Sequence, residues 1–296
     1  RSRWTRRRCC SAGGGAMPEL PEVETIRRQL SERLPGRTVT AVEVQDPLLT
    51  APEDPEAFAA TVAGRSIGAV ERRGKYLLLP LSSGDTLALH LRMTGRLHWR
   101  PGPVPEGAER FPRARFDLDD GGTLVFGDQR RFGRAWIVPA SLPEPERYWA
   151  ARVGVEPLGP RFTARVLAAL LEGRRTAVKA ALLNQALVAG LGNMYVDEAL
   201  FQARVHPERP AGDLAPAEVR RLHRAIRGRL AAAIAAGGAS IDGYRDSLGE
   251  RGTMQDLLRV HLHAGEPCPR CGTTIAKTRV AQRGTYHCPR CQQAPW

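Results

Sequence analysis

The sequence lacks any stretch of about 18 uninterrupted apolar residues, the length that a transmembrane helix requires. Its arginine-rich beginning is not followed by the apolar segment that a secretory signal peptide needs. Only six cysteines are present among 296 residues, and without a secretion signal we expect them to remain reduced. These absences predict a soluble protein with no membrane partner.

Acidic residues are also in deficit. The chain has 44 Lys and Arg against 31 Asp and Glu, which gives a net charge of +13 and a pI near 10.3. This balance favours a polyanionic partner over a neutral metabolite, and nucleic acid is the leading candidate. The alternative is a generally basic surface produced by GC-rich codon bias, which would also account for the many Arg, Ala, Gly and Pro residues.

Residues 1–16, RSRWTRRRCCSAGGGA, are expected to lie outside the folded protein. Removing their five arginines from the net charge of +13 leaves +8, so the basic character does not depend on them. We favour upstream sequence translated in error. A real leader, such as a mitochondrial or plastid presequence, is the alternative. Under either hypothesis the protein proper starts at Met17.

The segment after Met17 has the pattern of an amphipathic helix. Val23, Ile26, Leu30 and Leu34 follow one another at spacings of three and four, which places them on one helical face. Pro21 is suited to the first helical turn, and Gly36 is a candidate stop.

The rest of the chain divides into segments of different periodicity, and its length predicts two domains. Short runs with β-type alternation occupy residues 39–139 and predict a β-sandwich or barrel-like domain over 17–139. Proline-rich residues 140–162 are typical of a linker. Helical patterns follow over 163–256, among them TAVKAALLNQALVAGLG and a later helix whose buried stripe is predicted at Val219, Leu222, Ile226, Leu230 and Ile234. Residues 241–256 are a polar, glycine-punctuated loop that we expect to be mobile, and residues 257–296 form a separate tail. The predicted fold class is α+β.

Four of the six cysteines stand in two CPRC motifs separated by sixteen residues, namely Cys268, Cys271, Cys288 and Cys291. Two such knuckles bring four thiolates to one tetrahedral ion, so we predict one structural Zn²⁺. A pair of disulfides is the alternative. A site with four protein ligands has no open position for a substrate, and the metal is therefore assigned to folding.

Several motifs occur in a fixed order: MPELPEVET, KYLLL, HLRMTG, QRRFG, LGNMYVDEALF and the terminal cysteine hairpin. Together they resemble the bacterial formamidopyrimidine-DNA glycosylases over about 280 residues, from Met17 to the end. The resemblance implies an N-terminal β-sandwich with a leading helix, a helix-two-turns-helix domain and a β-hairpin zinc finger, with DNA bound between the two halves. It also implies a DNA glycosylase and β,δ-lyase that removes 8-oxoguanine opposite cytosine and formamidopyrimidines.

The chemistry implied by the resemblance needs Pro18 to become the N-terminal residue. An α-amine titrates near pH 8, against about 10.4 for lysine, so more of it is neutral and nucleophilic at physiological pH. The resemblance assigns proton transfer to Glu19, support of the site to Glu22, and contacts to the phosphate and damaged nucleotide to Lys75. Without it, the two glutamates would be explained by the positive end of the helix, and the lysine by an ordinary surface position.

A base inside a duplex must be extruded before it can be cleaved, and stiff or apolar side chains fill the space that it leaves. Met93 and Phe132 occupy the positions of the family's wedge residues, and Arg130 that of the arginine that pairs with the orphaned cytosine. Core packing is the alternative for Met93 and Phe132, but their arginine and glycine neighbours disfavour it.

Four further residues match positions that hold DNA phosphates in the family: Lys179, Asn193, Tyr195 and Arg283. For Lys179, a helix-surface position is the alternative. Gly284 is expected to form the tight tip of the zinc hairpin beside an exposed Arg283. The chain departs from the common family pattern at His261-Leu262, where a Tyr-Gly pair is frequent, and we expect no effect on catalysis.

Two rival functions remain at this stage. An endonuclease VIII-type glycosylase prefers oxidised pyrimidines, although PELPEV and the RRF motif disfavour that group. A catalytically inactive DNA-binding protein would keep the charge, the zinc and the fold if Pro18 stayed inside a peptide bond. The main hypothesis also predicts a monomer in the bacterial cytoplasm, associated with the nucleoid, that needs no redox or metal cofactor for its chemistry.

Overall fold

The computed structural model describes residues 17–103, 105, 107–142, 145–241 and 243–294, so the hypotheses for residues 1–16 lie outside the described residues. Helix α1, Leu20–Ser31, opens the described chain. Its predicted apolar face is confirmed, because Val23, Ile26 and Leu30 are buried, as is Leu34 beyond its end. Gly36 has a φ of +81°, in the left-handed region that favours glycine, where the chain turns towards the first strand.

Two four-stranded antiparallel sheets then form a sandwich, which agrees with the predicted fold class. The first sheet has the order β1-β6-β7-β5 and the second β2-β3-β4-β8. Their strands are β1 Val39–Val44, β2 Glu71–Arg73, β3 Tyr76–Pro80, β4 Thr86–His90, β5 Gly95–Arg100, β6 Pro112–Leu118, β7 Thr123–Asp128 and β8 Arg134–Val138. A short helix, α2 Pro55–Val62, packs beside β1. The apolar core lies between the sheets and extends to α1, so the amino end of α1 is held rigidly at the edge of the sandwich.

The second half is helical, with its own core. The helices are α3 Pro145–Ala150, α4 Ala164–Leu171, α5 Val178–Leu183, α6 Asn193–Ala203 and α7 Pro216–Ala235, with 3-10 turns at Ala211–Asp213 and Met254–Leu257. The buried stripe of α7 is Val219, Leu222, Ala225, Ile226, Leu230, Ala233 and Ile234, which includes every position expected from its periodicity. Within the described ranges, none of the helices combines the length and the apolar character that crossing a bilayer needs.

One sequence-based expectation needs correction here, and the predicted linker holds a helix that its sequence did not indicate. The helical pattern TAVKAALLNQALVAGLG yields only α5, because the Asn184 side chain accepts the Ala186 N–H and turns the chain, and Gly190 has a φ of +79°. The stretch expected to be a plain linker contains α3, whose Trp149 is buried against β3, β4 and β8. In both segments the apolar residues pack in a short helix next to turns. A periodic pattern alone does not show where such a helix begins or ends.

The tail forms an antiparallel hairpin of β9, Ala276–Val280, and β10, Arg283–His287. Its small core includes Phe201 of α6, Val260, Ile275 and Tyr286. The hairpin therefore packs directly on the helix that begins at Asn193.

Candidate active site and nucleic-acid interface

The amino end of α1 meets the amino end of α6. Glu19, just before α1, is 3% exposed, and its Oε1 accepts the Met194 N–H at 3.0 Å. Gly192 makes this approach possible, since a Cβ at that position would lie 2.2 Å from the Glu19 carboxyl carbon. The positive end of α6 thus faces a carboxyl group that directly follows Pro18.

Glu19 is suited to holding a proton near neutral pH. Burial raises the pKa of Glu19 to about 7, while the nearby Lys75 acts in the opposite direction and Glu22 adds to the rise. Its second oxygen, Oε2, is buried without a hydrogen-bond partner among the described residues. An unsatisfied buried oxygen beside a cation is where a transferable proton, or a substrate group, would be accommodated.

Glu22 has a different environment, although it is equally buried. Its carboxylate accepts the Tyr195 hydroxyl at 2.6 Å, the Ala239 N–H at 2.8 Å and the Glu19 N–H at 2.9 Å. Burial raises the pKa of Glu22, and these hydrogen bonds act against the rise. The side chain therefore joins α1, α6 and the segment after α7 at one point.

Lys75 enters the same site from the turn between β2 and β3, and it is 4% exposed. Burial lowers the pKa of Lys75, whereas Glu19 and Glu22 act to raise it. Arg72 fixes this turn by donating to the Gly74 carbonyl at 2.9 Å and to Glu156 at 3.0 Å. The structure therefore buries three of the predicted site residues in one site, where the charges of Glu19 and Glu22 act on Lys75.

Pro18 is buried at the floor of a small cleft. Met93, Arg96, Gly243 and Tyr244 also line this cleft. Met93 lies in the loop between β4 and β5 and is half-buried. The predicted nucleophile and one predicted wedge residue thus border the same opening.

The loop between β7 and β8 carries the other predicted wedge residue, Phe132, and Arg130, the residue predicted to pair with the orphaned cytosine. Arg130 is exposed, and Phe132 is 47% exposed, which is rare for an aromatic residue in a well-packed domain. The guanidinium carbon of Arg130 lies 4.9 Å from the centroid of the Phe132 ring, within cation–π range. The core-packing alternative therefore does not apply to Phe132.

The zinc hairpin presents Arg283 at its exposed end. The tight turn consists of Ala281 and Gln282, whose φ angles of +49° and +61° are those of a two-residue hairpin turn. Gly284 is therefore not the turn residue, contrary to the sequence-based expectation. It lies within β10 opposite Arg279, and its carbonyl accepts hydrogen bonds from the helical domain.

Lys179 does not lie where a phosphate contact requires it. Its side chain is 0% exposed, and the ammonium group bonds Asp197 at 2.7 Å, Thr285 Oγ1 at 2.8 Å and the Gly284 carbonyl at 3.0 Å. All three ammonium hydrogens thus have partners. The expectation of a direct phosphate contact, or of a helix-surface position, is corrected to a buried link between α5, α6 and the zinc hairpin.

Asn193 and Tyr195 also differ from a simple pair of phosphate ligands. Asn193 is half-buried, and its Nδ2 donates to the Gly284 carbonyl at 2.9 Å, next to Arg283. Tyr195 is 0% exposed, and its hydroxyl is committed to Glu22. One side of α6 therefore faces the hairpin, and the other supports the carboxylates.

Asp197 and His261 extend the same buried network. The second carboxylate oxygen of Asp197 lies 2.9 Å from His261 Nδ1 and 3.3 Å from the Tyr286 N–H. His261 thus occupies a structural position beneath the hairpin, at the place where the chain departs from the common family pattern.

The 241–256 loop, expected to be mobile, is tied to the first domain. Gln29 of α1 donates to Asp246 at 2.7 Å and accepts from the Ser247 hydroxyl at 2.6 Å. The backbone N–H of Trp99 in β5 donates to the Ser247 carbonyl at 2.8 Å. Ser247 is fully buried and anchors this loop to the first domain.

The four cysteines of the two knuckles satisfy the geometry of a structural metal site. Their Sγ atoms all lie within 4.8 Å of one another, with pairs at 3.5 Å and 4.0 Å. A tetrahedron with Zn–S bonds of about 2.3 Å has sulfurs about 3.8 Å apart, whereas a disulfide needs about 2.05 Å. The Arg270 and Cys291 amides donate to Cys268 and Cys288, each at 3.4 Å. Cys268, Cys271, Cys288 and Cys291 therefore fit one structural Zn²⁺.

Several residues that hold the site together carry no signal in the sequence. Asp128 bonds Thr94, Asp197 bonds Tyr286 and Gln29 bonds Asp246, so each joins segments that are far apart in the chain. Gly192 is the exception, because a glycine directly before the helical pattern NMYVDEALF marks a close approach of backbone.

Comparison with known families gives consistent matches along the chain. The formamidopyrimidine-DNA glycosylase N-terminal domain matches residues 17–135, the H2TH domain of the same enzymes 153–244, and the zinc finger found in FPG and IleRS 265–294. A Symbiobacterium thermophilum protein named formamidopyrimidine-DNA glycosylase is 51% identical over 280 residues, which cover 94% of this chain and 90% of that protein.

Solved structures agree with these matches. A mutant Lactococcus lactis FPG in complex with Fapy-dG containing DNA has a TM-score of 0.86 and 36% identity, covering 94% of this chain and all of the other. The Lactococcus lactis Fpg complex with abasic site containing DNA has the same score and identity, with 93% of this chain covered.

Proposed function

Because the chain belongs to the formamidopyrimidine-DNA glycosylase family, we propose that it removes oxidised purines from DNA and then cleaves the strand at the abasic site. Its substrates are 8-oxoguanine opposite cytosine and ring-opened formamidopyrimidines. The observation that carries the proposal is the buried Glu19 carboxyl, with a pKa raised by burial to about 7, between Pro18 and Lys75.

The mechanism starts once Pro18 is N-terminal. Its neutral secondary amine attacks the first carbon of the deoxyribose, and the glycosidic bond breaks as the damaged base leaves with a proton. Glu19 protonates the ring oxygen of the opening sugar, which leaves an iminium between Pro18 and the sugar. The iminium acidifies the neighbouring carbon, so the 3′ and then the 5′ phosphate are eliminated, and water releases the sugar fragment and restores the amine.

Glu22 and Lys75 support this chemistry in different ways. Glu22 fixes the start of α1, and with it the direction of the Pro18 nitrogen, through its three hydrogen bonds. Lys75 places a positive charge where the phosphate and the damaged nucleotide would enter. Its burial beside two glutamates supports this role over that of an ordinary surface lysine.

The exposed loops form the DNA-binding face in this proposal. Met93 and Phe132 fill the space left by the extruded nucleotide, and Arg130 pairs with the orphaned cytosine. The exposed Phe132 ring and the opening shared by Met93 and Pro18 support these roles. Arg283 holds phosphates near the lesion, with Asn193 beside it.

The decisive experiment uses the chain expressed from Met17, so that methionine removal exposes Pro18. It is incubated with an 8-oxoguanine:cytosine duplex and borohydride, and the cross-linked peptide is sequenced by mass spectrometry. The expected product is a reduced adduct on Pro18. The matched control is a chain that retains residues 1–16, in which the Pro18 nitrogen is an amide and should form no adduct.

The same assay separates the rival functions. If the protein bound the duplex without forming any adduct, we would conclude that it is an inactive damaged-DNA-binding protein. Faster excision from a duplex with an oxidised pyrimidine would assign the chain to the endonuclease VIII type.

We further propose that the protein acts as a monomer in the bacterial cytoplasm, associated with the nucleoid, because one chain contains a complete site for one lesion. Light scattering at micromolar concentration tests the monomer, and a dimer mass would contradict it. The proposed domain limits are 17–139, the linker 140–162, 163–256 and 257–296, with residues 1–16 as a leader or a non-native extension. Limited proteolysis should cut first at these boundaries.

A further inference from the structure

Two of the exposed loops are joined by one buried carboxylate. Asp128, the last residue of β7, is 2% exposed. Its Oδ2 accepts the Phe132 N–H at 2.8 Å and the Gly133 N–H at 2.7 Å, and its Oδ1 accepts the Arg130 N–H at 3.1 Å. Oδ1 also accepts the hydroxyl of Thr94, which lies in the other loop, between β4 and β5.

Both loops contain backbone that other interactions must stabilise. Arg92, directly before Met93, has a φ of +55°, and Arg131, between Arg130 and Phe132, has a φ of +61°. Residues other than glycine rarely adopt this left-handed conformation, and they retain it only where surrounding contacts impose it. The Asp128 carboxylate supplies such contacts on both sides of Arg131.

A second set of ionic contacts supports the same loop from outside. Arg131 forms a bidentate pair with Asp46 at 2.7 Å and 2.8 Å. Arg113 lies 3.5 Å from Asp46 and donates to the Asp128 carbonyl at 2.8 Å. The guanidinium of Arg131 is thereby held on Asp46 although the side chain is half exposed, whereas that of Arg130 lies over the Phe132 ring.

We propose that Asp128, through Thr94, is a positioning residue that couples the Met93 loop and the Arg130–Phe132 loop into a single preorganised unit for insertion into damaged duplex DNA. This inference rests on the proposed wedge function of the two loops. Since Asp128 is buried beneath them, it acts without touching the DNA. We therefore expect Asp128 to affect activity only on substrates in which a base has to be extruded from a duplex and the loops have to fill its place.

The test compares Asp128→Asn and Thr94→Val with control variants at the other end of the same sheet. Thr123 begins β7, is equally buried, and donates its hydroxyl to Asp117, which is 28% exposed and also pairs with Arg115. Thr123→Val therefore removes a hydroxyl–carboxylate contact far from the loops, and Asp117→Asn alters the carboxylate that accepts it. Thermal melting of all four variants provides the measure of folding. Thr94→Val retains the backbone contacts of Asp128, and it keeps the test valid if Asp128→Asn does not fold.

Two substrates separate positioning from general damage. On an 8-oxoguanine:cytosine duplex we expect single-turnover excision to fall about 100-fold for Asp128→Asn and about 10-fold for Thr94→Val. On an abasic site in a single strand, where nothing has to be displaced, cleavage should equal that of the unaltered protein. The Thr123 and Asp117 variants should match the unaltered protein on both substrates.

A fluorescence measurement reads the insertion itself. A duplex carrying a stable abasic analogue with 2-aminopurine opposite reports unstacking when the loops enter, and we expect that signal to be lost in Asp128→Asn and reduced in Thr94→Val. Equal losses on both cleavage substrates, or a full fluorescence signal in a folded Asp128→Asn variant, would overturn the proposal. If the unaltered protein formed no adduct at Pro18, the proposed function would fail, while the fluorescence result would still decide the role of Asp128.

Discussion

At the scale of single residues, the two glutamates at the start of α1 show how equal burial gives different chemistry. Glu22 has three hydrogen-bond donors on its carboxylate, whereas Glu19 has one, on Oε1, and an unpartnered Oε2. A fully hydrogen-bonded carboxylate is held in place and in its charge state, while a poorly satisfied one is free to exchange a proton. The geometry therefore favours Glu19 for proton transfer and Glu22 for positioning.

The raised pKa of Glu19 leads to a prediction about pH. Because burial raises this pKa to about 7, the protonated form that donates to the sugar is lost as the pH rises through 7. Single-turnover excision by the chain beginning at Pro18 should decline on that alkaline side. Glu19→Gln should be about 100-fold slower and should lack the alkaline decline. If Glu19→Gln kept the same decrease in excision rate at alkaline pH, Glu19 would not be the group that causes it.

The same shift predicts an effect on stability. The folded state retains a proton on Glu19 up to about pH 7, whereas the unfolded chain loses it near 4.5, so the folded state binds more protons between these values. The contribution of Glu19 is complete below pH 4.5 and decreases as the pH rises to 7. Denaturant unfolding of the Glu19→Gln variant should show a smaller decrease over this window than the unaltered protein.

Tyr195 provides a third prediction at this scale. Tyr195→Phe removes the 2.6 Å hydrogen bond to Glu22 and leaves a buried carboxylate with one donor fewer, which should cost about 2 kcal/mol of unfolding free energy. The melting temperature should fall by roughly 5 °C, while affinity for undamaged duplex stays unchanged because the hydroxyl is not exposed. Weaker binding of undamaged DNA without any loss of stability would restore the phosphate role.

At the scale of elements, the zinc hairpin is held in place by hydrogen bonds from α5 and α6. Lys179 and Asn193 both donate to the Gly284 carbonyl, and Asp197 accepts from the Tyr286 amide. The hairpin thus has a defined orientation towards the amino end of α6, where Glu19 lies. The positive charge of Arg283 acts to lower the pKa of Lys75, so the exposed arginine acts electrostatically on the buried site.

Lys179→Met tests this element. The variant leaves Asp197 without its ammonium partner, and removing one member of a buried pair typically costs about 3–5 kcal/mol. Hydrogen exchange should increase in residues 276–287, while Lys277→Met, on the exposed face of β9, should leave exchange unchanged. If Lys179 instead contacted a DNA phosphate, Lys179→Met would lower the number of ions released on DNA binding by about one, and exchange in the hairpin would not become faster.

At the scale of the whole molecule, the site exists only where the parts meet. The sandwich contributes Pro18, Glu19 and Lys75, the helical half contributes the amino end of α6, and the hairpin contributes Arg283. Gln29 ties the 241–256 loop to α1, so the same interface also determines the path of that loop. A change in the relative position of the halves would alter every one of these contacts.

Removal of the metal is the prediction at this scale. The core cluster of the finger has six buried residues, two of them cysteines, which is too small to fold without zinc. Chelation should release one zinc per chain, abolish lesion excision and increase hydrogen exchange in residues 276–287. Exchange in β3, β4 and β7 should stay slow, because the sandwich has a separate core. Added Zn²⁺ should restore activity, and retention of full activity after zinc release would contradict the prediction.

Periodicity and spacing determined much of this architecture in advance. The apolar stripes of α1 and α7, the β-rich first half and the two CPRC knuckles are local patterns, because each depends on residues only a few positions apart. The motif resemblance added the prediction that Pro18 is the nucleophile and that its glutamate neighbours assist it. Three features were not evident from the sequence, because contacts with other segments determine them: the short α5, the turn at Ala281-Gln282 and the anchored 241–256 loop.

The sequence by itself thus determined the α+β class, the zinc ligands and the family, all of which follow from local order along the chain. Only the tertiary structure decided that Lys179 and Tyr195 are buried supports, that Glu19 and Glu22 differ in their partners, and that Asp128 joins two loops. Burial and hydrogen-bond partners depend on segments up to about two hundred residues apart, as with Glu22 and Ala239, which are 217 positions apart. Such contacts arise from packing, and no local pattern encodes them.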